Sequence, residues 1–279
     1  MLNKIIIVDK PKDYTSRDVV NKLSKILNTK KVGHTGTLDP MATGVLVCLT
    51  GKFTKLVDMI SSLEKEYIAT IKLGIKTDTG DITGNIIDNS EIPNLTKEQI
   101  TKTLDKFLGS SVQTTPIYSA VHVNGKRLYE YARSNTEVEL PKREIYISDI
   151  ELLNYENDLI KFRVVVSKGT YIRSLIDDIC LSLNTIGTMS ELNRTKQGIF
   201  NINNSYTLED IESNNYESLN IEEVLNLKII ELDDNLYKKV INGNKLVDNN
   251  DGYILYRKDN NNVALYYFEN KEGRLKILF

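Results

Sequence analysis

The sequence predicts an α/β (α+β) protein: a mixed, largely antiparallel central sheet flanked by helices and loops, then a small, mostly β C-terminal domain. Three observations predict it. Ile5–Val8 is a β-branched run that reads as a buried strand, and similar runs recur at 45–49, 67–73, 145–152 and 160–166. Strands and helices are interspersed without the regular alternation that a doubly wound parallel sheet requires. Strand-like stretches at 253–257, 263–268 and 275–278 close the chain.

Each element has a local reason. Thr15 or Ser16 can cap a helix over about 16–28, whose apolar face is Val19, Val20, Leu23, Ile26 and Leu27. A Gly/Thr/Pro-rich loop, Gly33–Gly44, leads into the strand Val45–Leu49. Tyr67–Leu73 reads as a further strand, and Thr77–Gly84 is turn chemistry. Thr96-x-x-Gln99 resembles a capping box, opening a helix with Ile100, Leu104, Phe107 and Leu108 as its buried stripe. Asn124-Gly125 is the strongest hairpin-turn signal in the chain. A helix follows Tyr171. Residues 201–228 read as an Asn- and Glu-rich connection with a short helix near Ile221–Leu227, and a small helical patch follows at 234–242. The expected division is a larger domain over 1–228 and a smaller one over 229–279, which has few core residues and must lean on the first.

Hydrophobic content of 41% and charged content of 27% are ordinary for a soluble globular protein. The run Ile5–Val8 is too short for a signal h-region, and no later apolar run approaches a membrane span, so a cytoplasmic enzyme is expected. Cys48 and Cys180 sit in no metal-binding spacing, and Cys48 reads as a buried structural thiol. A net charge of −2 argues on its face against nucleic acid. Its distribution is uneven: residues 1–31 carry a balance of +5 and residues 201–251 one of −7. This fits either two solvated surfaces of opposite sign or one face that attracts phosphate.

The loop Gly33–Gly44 is the candidate functional segment. It is no Walker A loop, because Gly51-Lys52 is followed by Phe53 and Leu46 stands where the first glycine belongs. Gly33 and Gly36 also lack the G-x-G start of a dinucleotide fingerprint. What remains is a glycine-studded loop with one histidine, His34, and one acid, Asp39, which Pro40 biases towards extended geometry. An Asp-Pro pair is more often a turn than a catalyst, so spacing alone identifies only a functional loop.

The stretch Gly33-His34-Thr35-Gly36-Thr37-Leu38-Asp39-Pro40-Met41-Ala42-Thr43-Gly44-Val45-Leu46 resembles the catalytic motif of the TruB family of pseudouridine synthases. Other motifs agree, in the family's order. Val8-Asp9-Lys10-Pro11 resembles its N-terminal motif, although Lys12-Asp13-Tyr14-Thr15-Ser16 departs from the usual glycine-containing continuation. Lys65-Glu66-Tyr67 resembles the strand that supplies an active-site tyrosine. Thr77-Asp78-Thr79 with Asp81 and Gly84, Pro116-x-Tyr118-Ser119-Ala120, and the run from Gly125 to Arg133 are also family-like. Ser167-Lys168-Gly169-Thr170-Tyr171-Ile172-Arg173 resembles the motif that supplies a Tyr and an Arg. Glu191-Leu192-Asn193-Arg194-Thr195 occupies a Leu-Arg-Arg position, with Asn193 in place of the first Arg. The likeness is strong over 3–200 and weaker over 230–279, which resembles a short PUA-like RNA-binding domain.

The resemblance implies conversion of uridine 55 in the tRNA T loop to pseudouridine, an isomerisation that needs no cofactor and no metal. It implies Asp39 as nucleophile, Arg173 as the guanidinium favouring its ionised form, and Tyr67 stacked on a flipped uridine with a part in the proton step. His34 would fill the gap that the flipped nucleotide leaves, and Tyr171 and Leu192 would complete the uracil pocket. Lys10, Lys30 and Lys31 are candidate phosphate contacts beside the basic helix. His122 reads as structural. The expected partner is the T-arm stem-loop of tRNA, bound by a monomer with no obligatory protein partner and no membrane. The rival reading is a tRNA-folding chaperone acting independently of catalysis. A guide-RNA-dependent catalytic subunit is disfavoured, because such subunits carry longer basic extensions.

Overall fold

The computed structural model describes residues 3–225 and 227–279. The chain opens with β1 (Ile5–Lys10), α1 (Ser16–Ile26), β2 (Val32–His34) and β3 (Thr43–Thr50). Thr15 caps α1: its hydroxyl accepts from the Asp18 N–H at 3.0 Å, and the Asp18 carboxylate accepts from the Thr15 N–H at 2.9 Å. Val19, Val20 and Leu23 form the buried face. The helix ends two residues short of the expected 28, because Asn28 turns left-handed at φ 45°.

A 3-10 turn over 51–56 leads through α2 (Val57–Ser61) to β4 (Lys65–Leu73). There follow the hairpin β5 (Ile75–Thr77) and β6 (Ile86–Asn89), then α3 (Lys97–Asp105) and β7 (Gly109–Thr114). The Thr96–Gln99 capping box opens α3, and Ile100 and Leu104 are buried beneath it. Leu108 was expected in that stripe but is 48% exposed, because the helix stops at Asp105 and Leu108 lies beyond its face. The hairpin β8 (His122–Val123) and β9 (Lys126–Arg127) turns at Asn124 and Gly125, both at positive φ, and leaves His122 exposed. It runs into α4 (Leu128–Arg133).

The long antiparallel pair β10 (Lys142–Glu156) and β11 (Leu159–Val166) precedes α5 (Ile172–Ser182), β12 (Gly187–Gln197) and β13 (Phe200–Asn201). The segment read as a connection holds the expected short helix as α7 (Ile221–Leu225) and also an unexpected one, α6 (Leu208–Glu212); Asn226, inside the expected range, lies outside the described residues. A capping box on Thr207 opens α6, and Leu208 and Ile211 pack on β1 and α1. The C-terminal part comprises β14 (Lys228–Glu231), α8 (Asp234–Ile241), β15 (Leu246–Val247), β16 (Gly252–Lys258), β17 (Asn261–Glu269) and β18 (Glu272–Leu278).

The central sheet runs β1-β3-β12-β4-β11-β10-β7, with β2 on β3 and β13 on β12. Its pairs are antiparallel except β3 with β12, a parallel contact of two residue pairs, Asn193↔Thr43 and Arg194↔Gly44. Gly44 is required there: it has φ +100°, and a Cβ would lie 2.3 Å from the Arg194 carbonyl oxygen.

The smaller sheet, β14-β16-β17-β18-β15, packs on the first through a shared core. Ile5, Ile7, Val45, Val47 and Leu49 meet Leu255, Leu265 and Ile277 there, and Phe53 meets Phe279 edge-on at 6.0 Å. A Glu222–Arg257 ion pair ties α7 to β16. The smaller sheet thus covers an apolar face it could not stabilise alone. Leu265 is fully buried in this joint core, so Leu265→Ala should cost about 2–5 kcal/mol in urea unfolding. A loss below about 1 kcal/mol would mean that the joint core contributes little to stability.

Candidate active site

Asp39 lies in the loop between β2 and β3, and its neighbours are fixed from several directions. The Ser16 hydroxyl on α1 accepts from the Leu38 N–H at 2.9 Å. The Pro40 carbonyl accepts from the Asp13 N–H at 2.8 Å and from the Lys10 ammonium at 3.1 Å. Asp13 sits at φ 66°, a left-handed position that aspartate tolerates better than most residues, in the stretch that lacks the family's usual glycine. From the other side, β12 clamps the loop. Arg194 donates to the Val45 carbonyl at 2.6 Å and the Gly36 carbonyl at 3.1 Å, and Asn193 donates to the Thr43 hydroxyl at 2.8 Å. The Gln197 side chain accepts from the Thr35 hydroxyl at 2.9 Å and donates to the Ile60 carbonyl at 2.9 Å.

Arg173, in the first turn of α5, grips the Asp39 carboxylate with a two-pronged contact. Its Nε lies 3.0 Å from Oδ2, and its Nη2 donates to Oδ1 at 3.2 Å. The same guanidinium donates to the carbonyls of Thr79 and Tyr118, each at 2.9 Å. It is therefore aimed by the polar turn 77–84 as well as by α5. Asp81 braces that turn by accepting from the Thr83 N–H at 2.9 Å. The Arg173 side chain is 6% exposed and that of Asp39 is 30% exposed, so the carboxylate keeps one open side.

Burial pushes the Asp39 carboxyl above the ordinary aspartate range; the Arg173 charge opposes this, and the Asp81 charge adds to it. Apolar residues surround it. Leu38, Met41 and Ala42 from the loop share a core with Tyr67 of β4 and Leu192 of β12. Tyr67 and Leu192 face the same side of the sheet, because Tyr67 pairs with Arg194 and Leu192 with Ala69. Tyr171, immediately before α5, has an Arg143 guanidinium 5.4 Å from its ring centre. A cavity of about 350 Å³ opens beside Arg173, lined by Thr79, Tyr118, Ser174 and Asp177 among others.

The expected residues fall into distinct environments. Asp39 and Arg173 are in contact, Tyr67 and Leu192 belong to the same apolar core as Leu38, Met41 and Ala42 on either side of Asp39 in the chain, and Tyr171 is two residues from Arg173. His34, on β2, accepts from the Gly36 N–H at 3.3 Å; burial and the charges of Arg194 and Arg17 lower its pKa and favour the neutral ring. Lys10 is buried, and its ammonium donates to the carbonyls of Pro11 (2.8 Å), Tyr14 (2.5 Å) and Pro40 (3.1 Å). Burial pushes its pKa down to about 8. Lys30, Lys31 and Arg17 remain exposed nearby in sequence.

Sequence reasoning missed Ser16, Gln197 and the clamping role of Arg194. For Arg194 and Gln197 the signal was a polar side chain on an otherwise buried strand face, and for Ser16 one at the start of a helix; neither has meaning until the element's partner is known. Among the described residues, no group of three or more His, Cys, Asp or Glu side chains is placed to hold a metal ion. No described helix is long and apolar enough to cross a membrane.

The ion pair makes a measurable claim. Arg173 favours the ionised form of Asp39, so Arg173→Gln should move the Asp39 titration to higher pH, by about one unit or more for a partly buried pair. A ¹³C NMR titration of the Asp39 carboxyl reads this directly, and an unmoved titration would remove Arg173 as its counter-charge.

Comparison with known proteins follows the same lines. Residues 24–172 match the TruB family pseudouridylate synthase (N terminal domain), and residues 173–236 the tRNA pseudouridylate synthase B C-terminal domain. The chain is similar to the tRNA pseudouridine synthase B of Mesoplasma florum, 42% identical over 287 residues that cover 98% of each protein. It is 40% identical to that of Francisella tularensis subsp. novicida over 286 residues, covering 98% of this chain and 93% of the relative. Among solved structures, a chain of a Cbf5-Nop10-Gar1 complex superposes with a TM-score of 0.71 at 27% identity, covering 99% of this chain and 84% of that one. With a carboxylate loop clamped by a distant strand, and relatives that match it almost from end to end, the chain belongs to the TruB family of pseudouridine synthases.

Proposed function

We propose that the chain isomerises uridine 55 in the T loop of tRNA to pseudouridine, with Asp39 as the nucleophile. The observation that carries this is the Asp39–Arg173 pair: a carboxylate set among apolar residues, with a guanidinium on both its oxygens and one side open. A carboxylate in such a pocket would take up a proton unless a fixed cation opposed it.

The reaction breaks the bond from N1 of uracil to C1′, turns the base, and forms a bond from C5 to C1′. The proton on C5 is lost, and N1 is left protonated. No atom is imported. The Asp39 carboxylate serves as nucleophile to the uridine and so holds the fragments together through the turn. The base reaches it only by leaving its stack, which costs a few kcal/mol. The neutral His34 ring is suited to fill the vacated space, since a cation there would favour phosphate instead. Tyr67 stacks on the flipped base and takes part in the proton step, while Leu192 and Tyr171 supply the apolar and polar walls.

The exposed Lys30 and Lys31 take the phosphate contacts, and Lys10 holds the Asp39 loop from beneath. The partner is the T-arm stem-loop, read by shape and splayed bases. The protein acts as a cytoplasmic monomer through a catalytic domain over 1–228, and the sheet beyond it is a PUA-like RNA-binding domain over 229–279.

The test is pseudouridine formation on an unmodified T-arm stem-loop, with binding measured in parallel. Wild type should turn over, and Asp39→Asn should lose more than about a thousandfold in rate while keeping RNA affinity within a few fold. Binding and refolding of tRNA by wild type without pseudouridine at that site would instead favour a folding chaperone.

A further inference from the structure

Two residues outside this scheme converge on Tyr171. Gln113 is the one buried side chain of β7, a strand otherwise at the exposed end of the sheet. Its amide accepts from the Tyr171 N–H at 2.8 Å and donates to the Tyr171 carbonyl at 3.0 Å. Both ends of one buried amide are thus used on the main chain of a single residue 58 positions away. Arg143 of β10 pairs directly with Gln113 in the antiparallel register, so both side chains leave the same face of the sheet. The Arg143 guanidinium lies 5.4 Å from the Tyr171 ring centre and donates to the Gly169 carbonyl at 3.4 Å. Gly169 makes room for it: a Cβ there would come within 3.0 Å of Nη1. The Arg143 guanidinium thus meets the Tyr171 ring face and the Gly169 carbonyl together.

We propose that Gln113 and Arg143 are positioning residues that act as one cross-strand pair: Gln113 fixes the main chain of Tyr171 and Arg143 fixes its ring, holding the ring as a preformed wall of the base pocket. This rests on the pseudouridine synthase reading of the site. The alternative is a stitch that merely joins the β7–β10 edge to α5, to which the Thr114 carbonyl is also tied by the Ser174 hydroxyl at 3.1 Å. The two differ in what they do to turnover. A wall set in advance lowers the cost of orienting the flipped base for reaction, so its loss falls on kcat more than on KM.

A double-mutant cycle on kcat separates them. In the wild-type background, Arg143→Met should lower kcat about tenfold, the scale of one partly buried cation–π contact, with KM within about twofold. In a Tyr171→Leu background, where there is no ring to orient, the same substitution should cost less than about twofold. Arg143→Lys keeps the charge without the planar fork and should fall between. In protein labelled with 3-fluorotyrosine, the ¹⁹F resonance of Tyr171, identified by its loss in Tyr171→Phe, should move in both Arg143→Met and Gln113→Leu. Equal costs in the two backgrounds, or a Tyr171 resonance unmoved by Arg143→Met, overturn the proposal. Should wild type leave the RNA unmodified, the synthase reading fails, and the ¹⁹F resonance by itself decides whether the contact exists.

Discussion

The half-buried carboxylate of Asp39 is the constraint around which the rest is arranged. Water would keep it charged at no cost, but burial raises its pKa and favours the protonated form. Arg173 supplies the opposing charge, and a guanidinium with two oxygens to meet must be held in one orientation. The carbonyls of Thr79 and Tyr118 provide that orientation, so two segments far apart in sequence end at one side chain. The loop itself is held by groups that touch everything except the carboxylate. Ser16, Lys10, Asn193, Arg194 and Gln197 bond to residues on either side of Asp39 and leave its outer face open.

Buried cations are an unusual feature of this arrangement. Lys10, Arg194 and Lys65 all sit below the surface, and their acceptors are main-chain carbonyls. Burial and, to a lesser degree, the nearby Arg194 charge push both lysines down to about 8. A carbonyl is a weaker partner than a carboxylate, but it leaves the positive charge uncancelled. These cations lie beneath the loop even though the whole chain carries a net charge of −2. Net charge was a poor guide to the site because the acids concentrate in a different stretch of the chain, between 201 and 251.

Much of this was legible in the residues. The strand run Tyr67–Leu73, a cap at Thr15 or Ser16, the capping box at Thr96 and the Asn124-Gly125 turn are local signals, and local signals survive folding. Asp39 stood out only through the long motif around it, because an Asp-Pro pair has no chemistry of its own to announce. What failed was whatever depended on the partner of a segment. Lys10 looked like a surface cation next to other cations, yet β3 and the loop close over it. Leu108 continued the helical period but not the helix. The strands β14 and β15 are only four and two residues long and acquire meaning only beside β16 and β18. The helix α6 carried a readable Thr207–Asp210 cap, but it is five residues long, too short for periodicity to reveal.

The clamp on the Asp39 loop reaches across most of the chain. Arg194 meets Val45 and Gly36 at separations of 149 and 158 residues, Gln197 meets Thr35 at 162, and Arg173 meets Asp39 at 134. Contacts so distant close late, since each must first overcome the entropy of a long loop. During synthesis, Asp39 leaves the ribosome long before the strand that holds its loop. A nascent chain stopped anywhere between residues 44 and 197 would carry the whole Gly33–Gly44 loop but not its full clamp. On the ribosome, the fold thus reserves a fully clamped Asp39 loop for chains that have already passed most of their length.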